Sequence, residues 1–364
     1  MAKKKKKFSP VLAFLTAVIM LIIGAVGGLT VYLQANPEPS DVYVSGDLEI
    51  HFLELGNKYT GDCTYINAGG VDILIDAGSK TNSIPTISAY LDQYVTDGIL
   101  EYVIVTHAHQ DHYAGFATSE KQESLFDIYE CEVIIDFAQT NQKDTATMYS
   151  NYIRERNDEI ANGATHYTAQ DCMAQGLNSF DLGNQIELEI LDSFYYYQKD
   201  SSGENNHSVC CMINQGDNHF LFTGDLEESG EEKLVELNDL PQVTLYKAGH
   251  HGSKTSSTDT LLSVIRPQIV CVCCCAGSSE YTDNNSNQFP TQDFVDRIAP
   301  YTELVYVTTL CVDYENDKYT SMNGNIKITS NATGVYVDCS NVNTILKDWD
   351  WFRENRICPM AWKD

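Results

Sequence analysis

The sequence predicts an α/β protein: a four-layer αβ/βα sandwich behind an N-terminal transmembrane anchor. Three observations predict it. Short β-branched apolar runs recur in both halves of the chain, polar or amphipathic helical stretches fall between them, and in each half one such run stops at a group of histidines. Two strand-rich halves with helices outside them make two sheets packed face to face, each covered on its outer side.

Residues 1–35 begin with Lys3 to Lys7 and run apolar and uncharged from Val11 to Leu33. As a helix, that run spans roughly 34 Å, enough to cross a bilayer core. It is longer than a secretory h-region, and Gln34-Ala35 offers no good small-x-small cleavage site, so it reads as an uncleaved single-pass signal anchor. A cleaved signal peptide is the alternative. Lysines held in the cytoplasm put the rest of the chain outside it, at the cell membrane with the folded domain extracytoplasmic. Residues 36–46, with Asn36-Pro-Glu-Pro-Ser40, form a linker; 47–340 form the folded domain.

Within that domain, strands are expected at Leu48 to Leu55, Cys63 to Asn67 and Val71 to Asp76, then a helix over 84–97 and a strand over 101–106. A helix from Phe116 to Tyr129, a strand from Glu132 to Asp136, a polar helix from Thr145 to Ala161 and a strand from Gln185 to Leu191 follow. Val209 to Ile213 and Phe220 to Thr223 flank a hairpin turn at Gly216-Asp217-Asn218. The run beginning at Val243 is a strand, Ser256 or Ser257 caps a helix ending near Ile265 before Pro267, and Ile269 to Cys275 is a strand. A helix from Gln292 to Ile298 and strands at Leu304 to Thr308, Asn325 to Thr329 and Val335 to Asp338 complete it. Residues 341–364 read as an amphipathic helix with Ile345, Trp349 and Phe352 on one face, packed on the domain.

A chain of 364 residues with 43% hydrophobic and 20% charged content can bury a substantial core. Its net charge of -28, from 51 acidic and 23 basic residues, repels polyanions and disfavours nucleic acid as a partner. Cys210, Cys211, Cys271, Cys273, Cys274 and Cys275 sit in apolar strand-like runs and read as small buried hydrophobes rather than a disulfide framework.

The chemistry gathers at Val103-Ile-Val-Thr-His107-Ala-His109-Gln-Asp111-His112. Packing asks for no such pattern after a buried strand, whereas imidazoles and a carboxylate suit a divalent ion: zinc first, with manganese or iron admitted by ligand type. His107 and His109, two apart in extended backbone, point the same way, and a turn ending near Gly115 lets Asp111 and His112 converge beside them. In the second half, Phe220-Leu-Phe-Thr-Gly224-Asp225 ends a strand in an aspartate able to bridge two cations. His166 stands alone, without a neighbour at ligand spacing.

The histidine motif resembles the second motif of the metallo-β-lactamase superfamily. Gly61-Asp62-Cys-Thr-Tyr-Ile, Ile73-Leu-Ile-Asp76-Ala-Gly78 and His250-His251-Gly252-Ser253-Lys254 resemble its ComEC-type competence hydrolases and the phosphorylcholine-esterase-like relatives. The resemblance covers about residues 47 to 338. It implies that His107 and His109 serve one metal and Asp111 and His112 a second, and that Asp76 orients the metal loop from behind. It further implies His207, beside Asn205-Asn206, as a ligand or substrate contact. Of the histidine pair, His251 is taken as ligand and His250 as the group facing substrate, with Lys254 as an anion contact. The segment Asn287-Gln288-Phe289-Pro290 departs from the family's tyrosine-histidine-proline, which puts a substrate contact from that loop in doubt.

The expected function is therefore that of a membrane-anchored hydrolase with two divalent ions, attacking a small-molecule or cell-envelope phosphoester or phosphodiester with metal-bound hydroxide, oriented by Asp111 and assisted by His250 or Lys254. Hydrolysis of a β-lactam, lactone or thioester on the same site is the rival chemistry, and a tethered non-catalytic binding module the rival class.

Overall fold

The structure, a computed structural model, describes residues 48–119 and 122–363. The expected anchor and linker lie outside the described residues. Among those described, no helix is long and apolar enough to cross a membrane.

Among the described residues, sixteen strands build two sheets of eight. In chain order they are β1 Leu48–Phe52, β2 Thr64–Ala68, β3 Val71–Ile75, β4 Ile99–Val105, β5 Glu130–Asp136, β6 Thr165–Thr168, β7 Ser179–Gly183 and β8 Ile186–Ile190. Then come β9 Cys211–Gln215, β10 Asn218–Phe222, β11 Leu245–Lys247, β12 Ile269–Ala276, β13 Val305–Asp313, β14 Lys318–Ser321, β15 Ile326–Asn331 and β16 Gly334–Cys339. One sheet runs β16-β15-β1-β2-β3-β4-β5-β6, the other β14-β13-β12-β11-β10-β9-β8-β7. In each, antiparallel hairpins pass into a parallel run, β3 to β6 in the first and β10 to β13 in the second. Loops leaving the C-terminal ends of parallel strands are where α/β sheets place ligands, and both histidine groups lie there.

The layers follow from side-chain alternation. On β12, Cys271 and Cys273 join the core between the sheets, while Val270, Val272 and Cys274 face the helices Asp259–Ile265 and Gln292–Ile298. Every β12 residue is buried, as expected of a parallel strand covered on both faces. Phe52 and Phe222 meet across the inter-sheet layer with ring centroids 6.3 Å apart. All twelve cysteines are free thiols, nine of them buried, which agrees with their reading as small apolar residues.

Three expectations need correction. The helix read over 116–129 shrinks to Leu125–Ile128, because Ser124 and Asp127 form a capping box that starts the helix there. The helix read over 84–97 stops at Leu91. The tail from residue 341 is not one helix but a turn at Leu346–Asp348, a helix at Asp350–Asn355 and a turn at Met360–Trp362. Trp349 is extended, with ψ of 139°, and Pro359 has no amide to continue a helix. Phe352 and Trp362 still pack on the domain, with centroids 5.7 Å apart.

Candidate metal centre

Each of the clustered side chains leaves the end of a strand. After β3, Asp76 takes a left-handed φ of 59°, which swings its carboxylate toward β4. There it accepts the amide and the hydroxyl of Thr106, both at 2.8 Å, and Oδ2 lies 2.8 Å from Nδ1 of His112. Beyond β4, the one-turn helix Gln110–Tyr113 carries Asp111 and His112 inward. Gly115 lets that turn press on the β3 loop, since a Cβ there would stand 2.7 Å from the Ala77 carbonyl oxygen. From the second sheet, β10 delivers Asp225, whose amide donates to Ser208 Oγ at 3.1 Å. β11 delivers His250 and His251, at φ of 47° and 54°.

Oδ2 of Asp225 is the focus. Nε2 of His112 lies 3.2 Å from it, that of His251 3.4 Å, that of His250 3.8 Å and that of His107 3.9 Å. Ligand atoms of Asp62, His112, Asp225 and His251, all buried, fall within 4.8 Å of one another. Asp111 Oδ2 is 3.5 Å from His251 Nε2, and His107 Nε2 is 3.0 Å from His109 Nδ1. The far ring nitrogens are engaged: His251 Nδ1 donates to the Cys273 carbonyl at 2.9 Å, and His250 Nδ1 meets Thr255 Oγ1 at 3.1 Å and Glu227 Oε1 at 3.5 Å. Engaging one nitrogen from behind aims the other forward, the usual arrangement of metal-binding histidines.

Charge balance in this buried cluster is tight. Burial opposes ionisation of Asp225, but His112 and His251 outweigh it and hold the carboxyl well below its usual range. Burial likewise opposes protonation of His112 and His251, yet the Asp225 carboxylate, with Asp76 beside the first and Asp62 beside the second, holds both well above the ordinary histidine value. His107, buried and next to His112, is pushed well below it. Burial wins at Asp76, whose carboxyl is raised. Lys247, at the end of β11, is buried against Asp62 and lies 3.9 Å from Asp225 Oδ1; those carboxylates keep it charged despite desolvation.

The residues present fit a metal. Nε2 of His112 and of His251, Oδ1 of Asp62 and Oδ1 of Asp225 are buried without a hydrogen-bond partner. Imidazole nitrogens and carboxylate oxygens left unmatched at one point are a donor set for a divalent cation.

Of the residues singled out in sequence, the structure brings together His107, His109, Asp111, His112, Asp225, His250 and His251, with Asp76 behind them. It does not bring His207. That ring is buried, but its Nε2 accepts the Asp200 amide at 2.9 Å and its Nδ1 faces Glu204 at 3.5 Å, so it ties down its own loop. Its neighbour Ser208 supports the site instead, 3.4 Å from His107 Nδ1. Lys254 also departs from expectation: its side chain is exposed and donates to Asn287 Oδ1 at 3.1 Å. His166 pairs with Asp136 at 2.9 Å, away from the cluster. Sequence reasoning missed Asp62, Lys247, Lys80 and Tyr281 as site residues; of these only Lys80 lay outside the stretches that carry the motifs and the loop after Ile269 to Cys275.

A cleft of about 350 Å³ opens onto the cluster, lined by His109, Asp111, Asp225 and His250 together with Lys80, Glu280 and Tyr281. Tyr281 donates its hydroxyl to Asp111 Oδ2 at 2.7 Å, and its ring packs on Phe289, which also lies against His250 and His251. The loop after β12 thus reaches the site through a tyrosine and a phenylalanine, without the family's histidine. A second cavity of about 370 Å³ is lined by Asp127, Glu130 and Glu159 and has no histidine, so it offers no comparable donor set.

Residues 56–158 and 199–276 match the family model described as Metallo-beta-lactamase superfamily, and these two spans contain every clustered ligand. The chain belongs to the metallo-beta-lactamase superfamily. Within that superfamily it is similar to Recombination protein 2 of Haemophilus influenzae, 25% identical over 264 residues that cover 72% of this chain and 28% of the relative. It is also similar to ComE operon protein 3 of Bacillus subtilis, 23% identical over 46% of this chain and 19% of that protein. The chain thus spans less than a third of the length of these curated relatives. Among solved structures, the metallo-beta-lactamase fold protein YhfI from Bacillus subtilis aligns over 71% of this chain and 95% of its own, with 10% identity and a TM-score of 0.42.

Proposed function

We propose that this metallo-beta-lactamase chain is a metal-dependent hydrolase of phosphoesters or phosphodiesters, tethered to the membrane by its N-terminal segment with the catalytic domain outside the cytoplasm. The observation that carries the reading is the convergence of Asp62, His112, Asp225 and His251 from two sheets onto one buried point beside an open cleft. His112, His251, Asp225 and Asp111, with Asp62 beside them, would hold one divalent ion, and His107, His109 and Asp225 a second, with zinc, manganese or iron compatible with these donors. Such ions, when bound, supply Lewis-acid polarisation of an ester oxygen and a hydroxide at neutral pH.

The chain's own side chains supply the rest. Asp76 fixes the ring of His112 through a 2.8 Å contact. His250, anchored through Nδ1, presents Nε2 to the cleft, where it can donate to charge developing on an ester oxygen. Asp111, held by the Tyr281 hydroxyl and kept ionised against burial by His251 and His112, is placed to orient an attacking water. The cationic ammonium of Lys80 in the cleft lining favours an anionic ester, and the acidic surface as a whole disfavours a long polyanion such as nucleic acid.

The test is an assay of the purified chain, loaded with zinc or manganese, on bis(p-nitrophenyl) phosphate and on nitrocefin. Phosphodiester turnover that is lost in His112→Ala together with bound metal is the expected result. Turnover of nitrocefin alone would assign the β-lactam chemistry, and a wild-type chain with no bound metal would make the domain a binding module.

A further inference from the structure

Lys80, Glu280 and Tyr281 share the cleft lining with His109, Asp111, Asp225 and His250 and lie outside the ligand set. Lys80 follows β3, and its ammonium lies 3.4 Å from Glu280 Oε1 and 4.8 Å from the centre of the Tyr59 ring. Glu280 is itself fixed, because its other oxygen accepts the Thr60 amide at 2.8 Å and its side chain is 8% exposed. Tyr59 is held edge-on against Tyr314, whose ring carries Lys58 at 4.3 Å. The ammonium is therefore positioned by a carboxylate and a ring while a third of the side chain stays open to solvent. An ammonium has three donors, and Glu280 takes one.

Lys80 is the lysine or arginine that lines this cleft, in a chain carrying a net charge of -28. An anion drawn to the metal cluster meets a second cationic point in the same cleft. The volume, about 350 Å³, is at the small end of ligand pockets, and Tyr281, also in the lining, is tied to Asp111.

From this we infer that Lys80 forms a second anion subsite: the substrate is a compact ester bearing a further carboxylate or phosphate a short distance from the reacting centre, and Lys80 binds that group. This deepens the phosphoester reading and rests on it.

The experiment separates the two by measuring binding without turnover. The metal-loaded full chain is titrated calorimetrically with 3-phosphonopropionate and with propylphosphonate, which differ only in the terminal carboxylate. The wild type is expected to bind the first roughly tenfold or more tightly, the worth of one charge-assisted hydrogen bond in a part-exposed site. Lys80→Gln should erase that preference and Lys80→Arg keep most of it, with circular dichroism showing both variants folded. Equal binding of the two compounds by the wild type, or a preference that survives in Lys80→Gln, overturns the subsite. Failure to hydrolyse bis(p-nitrophenyl) phosphate would instead overturn the reaction, whatever the binding difference.

Discussion

Asp76 and His112 are joined by a 2.8 Å contact between Oδ2 and Nδ1, and the opposite nitrogen of the same ring stands 3.2 Å from Asp225. One carboxylate thus sets the direction of a ring whose far nitrogen faces a second carboxylate. Asp76→Asn keeps the left-handed backbone, which asparagine tolerates, but loses the charge behind the ring. Metal affinity is expected to fall about 10- to 100-fold, measured by chelator competition. Unchanged affinity would leave Asp76 a purely structural turn residue.

Lys247 offers a second measurement. Its ammonium is buried against Asp62 and close to Asp225, so Lys247→Met strands two buried carboxylates. In the chelated protein, this is expected to cost roughly 3–5 kcal/mol of unfolding free energy, read from urea denaturation. Added zinc should recover part of the loss, because a bound cation replaces part of the missing charge.

His207 separates proximity in sequence from membership in the site. His207→Ala removes the acceptor of the Asp200 amide and is expected to cost about 1–3 kcal/mol, while metal content by elemental analysis stays at the wild-type level. A drop in bound metal comparable to that of His251→Ala would return His207 to the ligand set.

Glu231 gives a pH signature away from the metals. Burial raises its carboxyl from 4.5 to about 7, although it accepts the Ser257 and Thr258 amides at 2.6 and 2.8 Å. A raised carboxyl means the folded state holds its proton longer than the unfolded state. Stability therefore declines as pH climbs from 4.5 through 7 and levels off above, by about 3 kcal/mol in all. Glu231→Gln should flatten that slope in denaturation midpoints taken between pH 4.5 and 8. An unaltered slope would show that Glu231 is not its source.

What the sequence revealed depended on whether a residue's chemistry conflicted with its local pattern. His107 to His112 stood out because imidazoles have no packing reason to follow Val103-Ile-Val, and Asp225 because it ends an apolar strand. Asp62 and Lys247 gave no such signal: a single aspartate after glycine and a single lysine ending a strand are ordinary, and only the approach of the two sheets makes them partners. Two lysines in loops, Lys80 and Lys254, cannot be told apart along the chain, since which one faces inward is decided by Glu280 and Tyr59 in one case and Asn287 in the other. β14 was missed because nearly all of it is exposed and it shows no alternation. In the tail, the spacing of Ile345, Trp349 and Phe352 imitated a helix, although an extended residue interrupts it.

His250 and His251 are consecutive left-handed residues without the freedom of glycine, at a cost of about 1–2 kcal/mol each. The neighbouring strands hold that backbone in place, so this stretch leaves little latitude for change. Neither Tyr281 nor Phe289, in the loop after β12, sits at a left-handed φ. Substitution is thus restricted at the histidine pair in a way that it is not at Tyr281 and Phe289, so the two stretches should tolerate change very differently.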